Sequence, residues 1–298
     1  MKNQFQQPRI QLLPSFSQND IAVDVLRLDE VHPIISGNKL FKLQYYLQDA
    51  IANHHQTIVT FGGAFSNHIV ATAAACNLHN LNSIGIIRGE APQQLSHTLQ
   101  QAKAFGMELY FVSRAAYKNK ATIAANFAHK NVYQIAEGGF GNLGAKGAAG
   151  ILKTVDTTSY THIICACGTG TTLAGLVQSA QPHQQIIGIN VLKGYENLKN
   201  DVVKIIDKNI ATNNFIIHND YHFGGYAKHT KHLINWMNAL WQNENLPTDF
   251  VYTAKLFFAV KDLLAKKYFN NDSKILVIHS GGLQGNLSLE KGELLFTT

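Results

Sequence analysis

The 298-residue chain is 46% apolar and only 15% charged, with six prolines, a balance that excludes disordered and fibrous proteins. No run approaches the roughly 18 apolar residues of a membrane helix, and the start, Met1 to Pro8, lacks the apolar stretch of a secretory signal, so a soluble cytoplasmic protein is expected. The net charge of +6 comes from scattered lysines, with Arg9, Arg27, Arg88 and Arg114 the only arginines, so no basic stripe for nucleic acid is present, and three cysteines are too few for a disulfide framework.

Apolar runs rich in β-branched residues predict strands at Ile21–Leu28, Thr57–Phe61, Ser83–Ile87, Glu108–Val112, Val132–Ala136, Thr161–Ala166, Gln185–Asn190, Asn214–Ile217 and Lys274–His279. Helical spacing falls between them, at Leu40–Ala52, Asn67–Leu78, Leu95–Phe105 and Thr171–Ala180, and the run from Lys228 to Asn245 reads as the longest helix. Strands separated by helices of this length indicate an α/β fold built on mainly parallel sheet. Glycine-rich turns stand at four strand ends: Gly62–Asn67, Glu137–Asn142, Cys167–Thr172 and His279–Gly282. The carboxyl ends of parallel strands are where such folds bind small molecules.

The turn Gly168-Thr169-Gly170-Thr171-Thr172 leads from a strand into a helix. Its free amides and hydroxyls suit one phosphate monoester, and no Lys-Ser or Lys-Thr pair follows to make it a nucleotide loop. Gly139-Phe140-Gly141-Asn142-Leu143-Gly144 matches the dinucleotide fingerprint in letters only. The next strand ends at Cys165-Ala166-Cys167 with no carboxylate for a ribose, so it reads as another turn at the substrate edge. His218, His222, His229 and His232 have spacings that metal ligands use, but glycines interrupt them, and solvated histidines are the better reading; no metal is expected. Ser36-Gly37-Asn38-Lys39 opens a helix with Lys39 and Lys42 on one face. A lysine at a helix N-terminus among apolar neighbours is shifted toward the neutral amine that Schiff-base chemistry needs.

Taken in order, these stretches resemble the pyridoxal-phosphate enzymes of the tryptophan-synthase-β fold type, and within them the aminocyclopropanecarboxylate deaminase and D-cysteine desulfhydrase family. The resemblance implies two interleaved domains, each an open, mainly parallel sheet flanked by helices. Residues 1–42 with 145–298 would form the larger, cofactor-binding one, and residues 43–144 the smaller. It implies pyridoxal 5'-phosphate as cofactor, a small amino-acid substrate and a homodimer. Lys39 takes the Schiff-base position, Asn67 the cofactor hydroxyl, Ser66 the substrate, and Gly168, Thr169, Gly170, Thr171 and Thr172 the phosphate. Tyr252 and, by a looser match, Tyr226 take the positions of active-site tyrosines. Thr253 replaces the glutamate that partners the pyridine nitrogen in the deaminase branch, and His68 stands where the deaminases carry glutamine. A hydroxyl cannot keep that nitrogen protonated, so β-elimination from a D-cysteine-type substrate is expected ahead of cyclopropane opening. A cofactor-bound but catalytically silent amino-acid-binding protein is the alternative of another class.

Overall fold

The computed structural model of the protein describes residues 5–18, 20–127, 131–210 and 215–296. Its strands are β1 (Ile10–Leu12), β2 (Ala22–Arg27), β3 (Thr57–Gly62), β4 (Asn82–Arg88), β5 (Met107–Val112), β6 (Val132–Ile135), β7 (His162–Cys167), β8 (Gln185–Asn190), β9 (Phe215–His218) and β10 (Lys274–His279). Between them run α1 (Asn38–Ala52), α2 (Asn67–Leu78), α3 (His97–Ala104), α4 (Lys120–Ala125), α5 (Asn142–Ala148), α6 (Thr171–Ser179), α7 (Leu198–Ile205), α8 (Lys231–Glu244) and α9 (Thr253–Ala265). The strand expected from Asn214 starts at Phe215; Asn214 itself lies outside the described residues.

Two sheets result. The larger has the order β1-β2-β10-β7-β8-β9 and the smaller β5-β4-β3-β6, and every pairing is parallel except β1 with β2. In the larger sheet β10 is central, with Val277 registered against Val25 on one side and Ile164 on the other. Strands buried on both faces read as the continuous Ile- and Val-rich runs seen in the sequence. α9 covers one face through Leu256, Phe257 and Val260, and α5 and α6 cover the other through Ala145, Ala148 and Leu173.

α1 has 15 residues and α8 has 14, so α1, not the run around Trp236, is the longer helix. α1 also joins the two halves. Leu43 and Leu47 pack with Ile58 and Ile135 of the smaller sheet, while Phe41 packs with the core of the larger. The expected divisions at 42/43 and 144/145 therefore pass through α1 and α5 themselves.

These helices touch at backbone distance. A Cβ on Gly147 of α5 would lie 2.0 Å from the carbonyl oxygen of Phe41, and one on Gly175 of α6 would lie 2.4 Å from Ala148 Cβ. The fingerprint-like Gly144 is packed too, for its Cβ would meet the carbonyl of Gly139, in the turn before α5, at 2.0 Å and Thr171 Cγ2 of α6 at 3.0 Å. That stretch is a packing helix. Gly147→Ala should consequently destabilise the protein by about 1–3 kcal/mol, since neither backbone can yield. Denaturant unfolding of the variant checks this, and a stability equal to wild type would mean that the helices slide apart at little cost.

Candidate active site

The carboxyl ends of β3, β4, β7 and β10 lead into the turns that line two adjoining cavities of about 60 and 320 Å³. Lys39, Asn67, Gly138, Gly168, Thr169 and Tyr252 line both.

Lys39 is the second residue of α1. Gly37 precedes the helix at φ +64°, where a Cβ would lie 1.8 Å from the Ser280 carbonyl oxygen, so the turn after β10 fits directly against the start of α1. Lys39 Nζ donates to Asn38 Oδ1 at 2.9 Å, and Asn38 Nδ2 donates to Thr172 Oγ1 at 2.9 Å. Burial pushes the Lys39 ammonium down to about 8, against an opposing pull from Asp249. Lys42, one turn on, is also held well below the usual lysine range, by burial and by Lys39, and its Nζ donates to the Gly138 carbonyl at 3.3 Å.

The turn at Gly168–Thr172 places Gly168, Thr169, Gly170 and Thr172 on the smaller cavity. α6 starts there with no side chain capping its first amides. Thr171 is buried outside the cavity lining, with its hydroxyl 2.9 Å from that of Thr169. Ser66 caps α2, its Oγ accepting the Ile69 N–H at 3.4 Å, which leaves the hydroxyl proton to be donated into the larger cavity. Asn67 Oδ1 is buried without a partner, and Nδ2 makes only a 3.4 Å contact with the Gly282 carbonyl. Tyr226 and Tyr252 face each other with ring centres 6.1 Å apart. Burial, with the neighbouring Tyr226 and Asp249, holds the Tyr252 phenol well above its usual range, so it stays a donor. His68 lines the larger cavity, bonded to Thr60 Oγ1 at 2.8 Å, and burial beside Lys39 and Lys42 keeps it neutral.

Thr253 is placed differently from the expectation. It begins α9, and its hydroxyl donates to Asp249 Oδ2 and accepts the Asp249 N–H, both at 2.7 Å. Asp249 Oδ1 also accepts the amides of Val251 and Tyr252 at 2.9 and 2.7 Å. Thr253 thus closes a helix start and lines neither cavity, whereas Ser280, after β10, lines the smaller one. Sequence reasoning noted the turn at His279–Gly282 without giving Ser280 a role, and it missed Arg88 and Glu137, which line the larger cavity. The four spaced histidines face different partners: His229 meets Phe250, His232 meets Phe258, His218 meets Tyr221 and Tyr268, and His222 Nδ1 accepts the Gly224 N–H at 3.0 Å.

An amide with an unpartnered oxygen, an uncapped helix start preceded by two glycines and a lysine held down to about 8 fit a phosphate-bearing aldehyde. Residues 6–281 match the family described as pyridoxal-phosphate dependent enzyme. The chain belongs to that family. The enzyme is 31% identical to a Pyrococcus abyssi protein named provisionally as a 1-aminocyclopropane-1-carboxylate deaminase, over 93% of this chain and 89% of that one. It is 23% identical to the D-cysteine desulfhydrase of Klebsiella pneumoniae, over 92% and 90%. The crystal structure of an ACC deaminase homologue superposes with a TM-score of 0.79 at 27% identity, covering 94% of this chain and 91% of that one.

Because the free Lys39 amine titrates near 8, the rate at which cofactor-free enzyme takes up pyridoxal phosphate should rise between pH 7 and 9 as that amine loses its proton. Borohydride followed by peptide mapping should leave the pyridoxyl group on Lys39; a label on Lys42, or uptake with a midpoint near the ordinary lysine value, would contradict this placement.

Proposed function

We propose that the enzyme is a lyase that converts a small amino acid bearing a β-leaving group to a 2-oxo acid and ammonia, with D-cysteine-type elimination ahead of 1-aminocyclopropane-1-carboxylate deamination. The names of the relatives support both activities. The ranking rests on one observation: among the described residues no carboxylate lines the smaller cavity, whereas Ser280, just past the end of β10, does.

The chemistry that bound pyridoxal phosphate supplies is withdrawal of electrons from the substrate carbon that loses its proton. The amides of the Gly168–Thr172 turn and the hydroxyls of Thr169 and Thr172 would hold the phosphate, with the start of α6 offsetting its charge, and Asn67 would hold the ring hydroxyl. Ser280 replaces Thr253 as partner of the ring nitrogen. A hydroxyl donates to that nitrogen without keeping it protonated, which favours a substrate whose β-group leaves readily over a cyclopropane that has none. Lys39 Nζ, neutral above about pH 8, takes the proton from the carbon next to the substrate amino group. The Ser66 hydroxyl donates to the substrate carboxylate, and Tyr252 and Tyr226 line the same cavity as Lys39 and offer their phenols to the substrate.

The reading extends to a homodimer and a cytoplasmic enzyme. An apolar groove along α1 and α2, lined by Leu40, Leu43, Leu47 and Leu78, supports the first, and three buried, unbridged cysteines support the second.

Pyruvate release from D-cysteine or D-3-chloroalanine should exceed 2-oxobutanoate release from 1-aminocyclopropane-1-carboxylate, and Ser280→Asp should narrow the gap. Robust ring opening with no activity on D-cysteine would reverse the ranking. Ser66→Ala should keep the cofactor yet lose on the order of a hundredfold in kcat/KM, the loss of a charge-assisted contact to the carboxylate; wild-type rates would reduce Ser66 to a helix cap.

A further inference from the structure

Arg88 ends β4 as an exposed residue and lines the cavity that also holds Lys39, Ser66 and Tyr226. The phosphate cradle, the ring contacts and the substrate carboxylate leave it without a task. Its guanidinium carbon lies 5.8 Å from the centre of the Tyr117 ring, and it makes no ion pair with any described residue. The one carboxylate on the same wall, Glu137, is committed to Lys120 at 2.6 Å. Beyond Arg88 the cavity widens into a vestibule of about 840 Å³ that shares Gly63, Asn67, Arg88, Tyr226 and Tyr252 with it. Arg114, Lys118 and Lys228 also line that vestibule, and among the described residues no aspartate or glutamate does. Cations of one sign around a concave, low-dielectric wall concentrate anions there, and an unpaired guanidinium is a fork matched to carboxylate, sulfate and phosphate.

From this we infer that the enzyme selects amino acids carrying a second negative charge at the far end of the side chain, and that Arg88 is the residue that recognises it. The vestibule draws such a substrate in, the Ser66 end of α2 takes its α-carboxylate, and Arg88 takes the distal anion. Cysteine meets the requirement only as its thiolate. The inference rests on the reading of the enzyme as acting on a small amino acid, and it adds the charge class of that substrate.

Aspartate and asparagine have nearly the same shape and differ in that one charge, and neither carries a ready leaving group. Calorimetric titration of the holoenzyme with each, in both hands, should give about tenfold tighter binding of aspartate in one hand, as a charge-assisted pair provides. Arg88→Gln should bring the two affinities together, Arg88→Lys should keep part of the difference, and added salt should shrink it. Equal wild-type affinities, or a difference that survives in Arg88→Gln, would overturn the inference. In turnover, the kcat/KM ratio of serine O-sulfate to 3-chloroalanine should fall in Arg88→Gln. If no β-substituted amino acid is turned over by the wild type, the elimination reading fails, and the aspartate and asparagine affinities still decide the charge preference by themselves.

Discussion

The contact on which the rest of the site depends is that of α5 with its two neighbours. α5 carries glycine or alanine at four of its seven positions, so the backbones of α1 and α6 lie against it where any larger side chain would hold them apart. Both helices have their N-termini at the same end of this sandwich. One delivers Lys39 and the other the phosphate cradle, and Asn38 with Thr172 ties the two starts by a direct hydrogen bond. Two features that look independent along the chain, a lysine near position 40 and a Gly-Thr turn near position 170, are in this way set at a fixed separation. That separation is what a cofactor with an aldehyde at one end and a phosphate at the other requires.

Why parts of this were readable in the sequence and others not follows from how local each signal is. Lys39, Ser66, Asn67 and the Gly168–Thr172 turn belong to short strand–turn–helix units whose chemistry and conformation are written in neighbouring residues. α5 escaped because its residues carry no apolar stripe: a helix that packs through glycine lacks the amphipathic period. α9 escaped for the opposite reason, being buried nearly all round through Leu256, Phe257, Ala259, Val260 and Leu263. β1 is three residues long and pairs antiparallel at an edge, below the length at which alternation can be seen.

The difference at Thr253 is of another kind. Sequence position next to Tyr252 suggested that both side chains face the same ligand, but at a helix start adjacent residues diverge by about a quarter turn or more. Tyr252 points into the cavity while Thr253 turns back to Asp249, whose carboxylate gathers the first amides of α9. The residue that lines the smaller cavity instead is Ser280, 27 positions further on, because β10 lies beside β7 in the larger sheet and brings its carboxyl end to the cradle. Arg88 is similarly invisible in one dimension. An arginine after an apolar strand is an ordinary terminator, and only the meeting of β3 and β4 beside the Gly62–Asn67 turn makes it part of a cavity wall.

The threading of the chain through the two sheets also sets an order of assembly. All four strands of the smaller sheet come from one continuous stretch, Thr57 to Ile135. Their pairings can form as soon as that stretch leaves the ribosome. The larger sheet cannot close in this way, since β2 and β7 are not neighbours and meet only through β10, which is made some 250 residues after β2. Joining such distant segments adds only slowly to the chain entropy lost, but it delays the event until β10 itself has been made. Until then the inner edges of β2 and β7 stay open, so the nascent chain exposes its most apolar strands at the time when its smaller half is already folded.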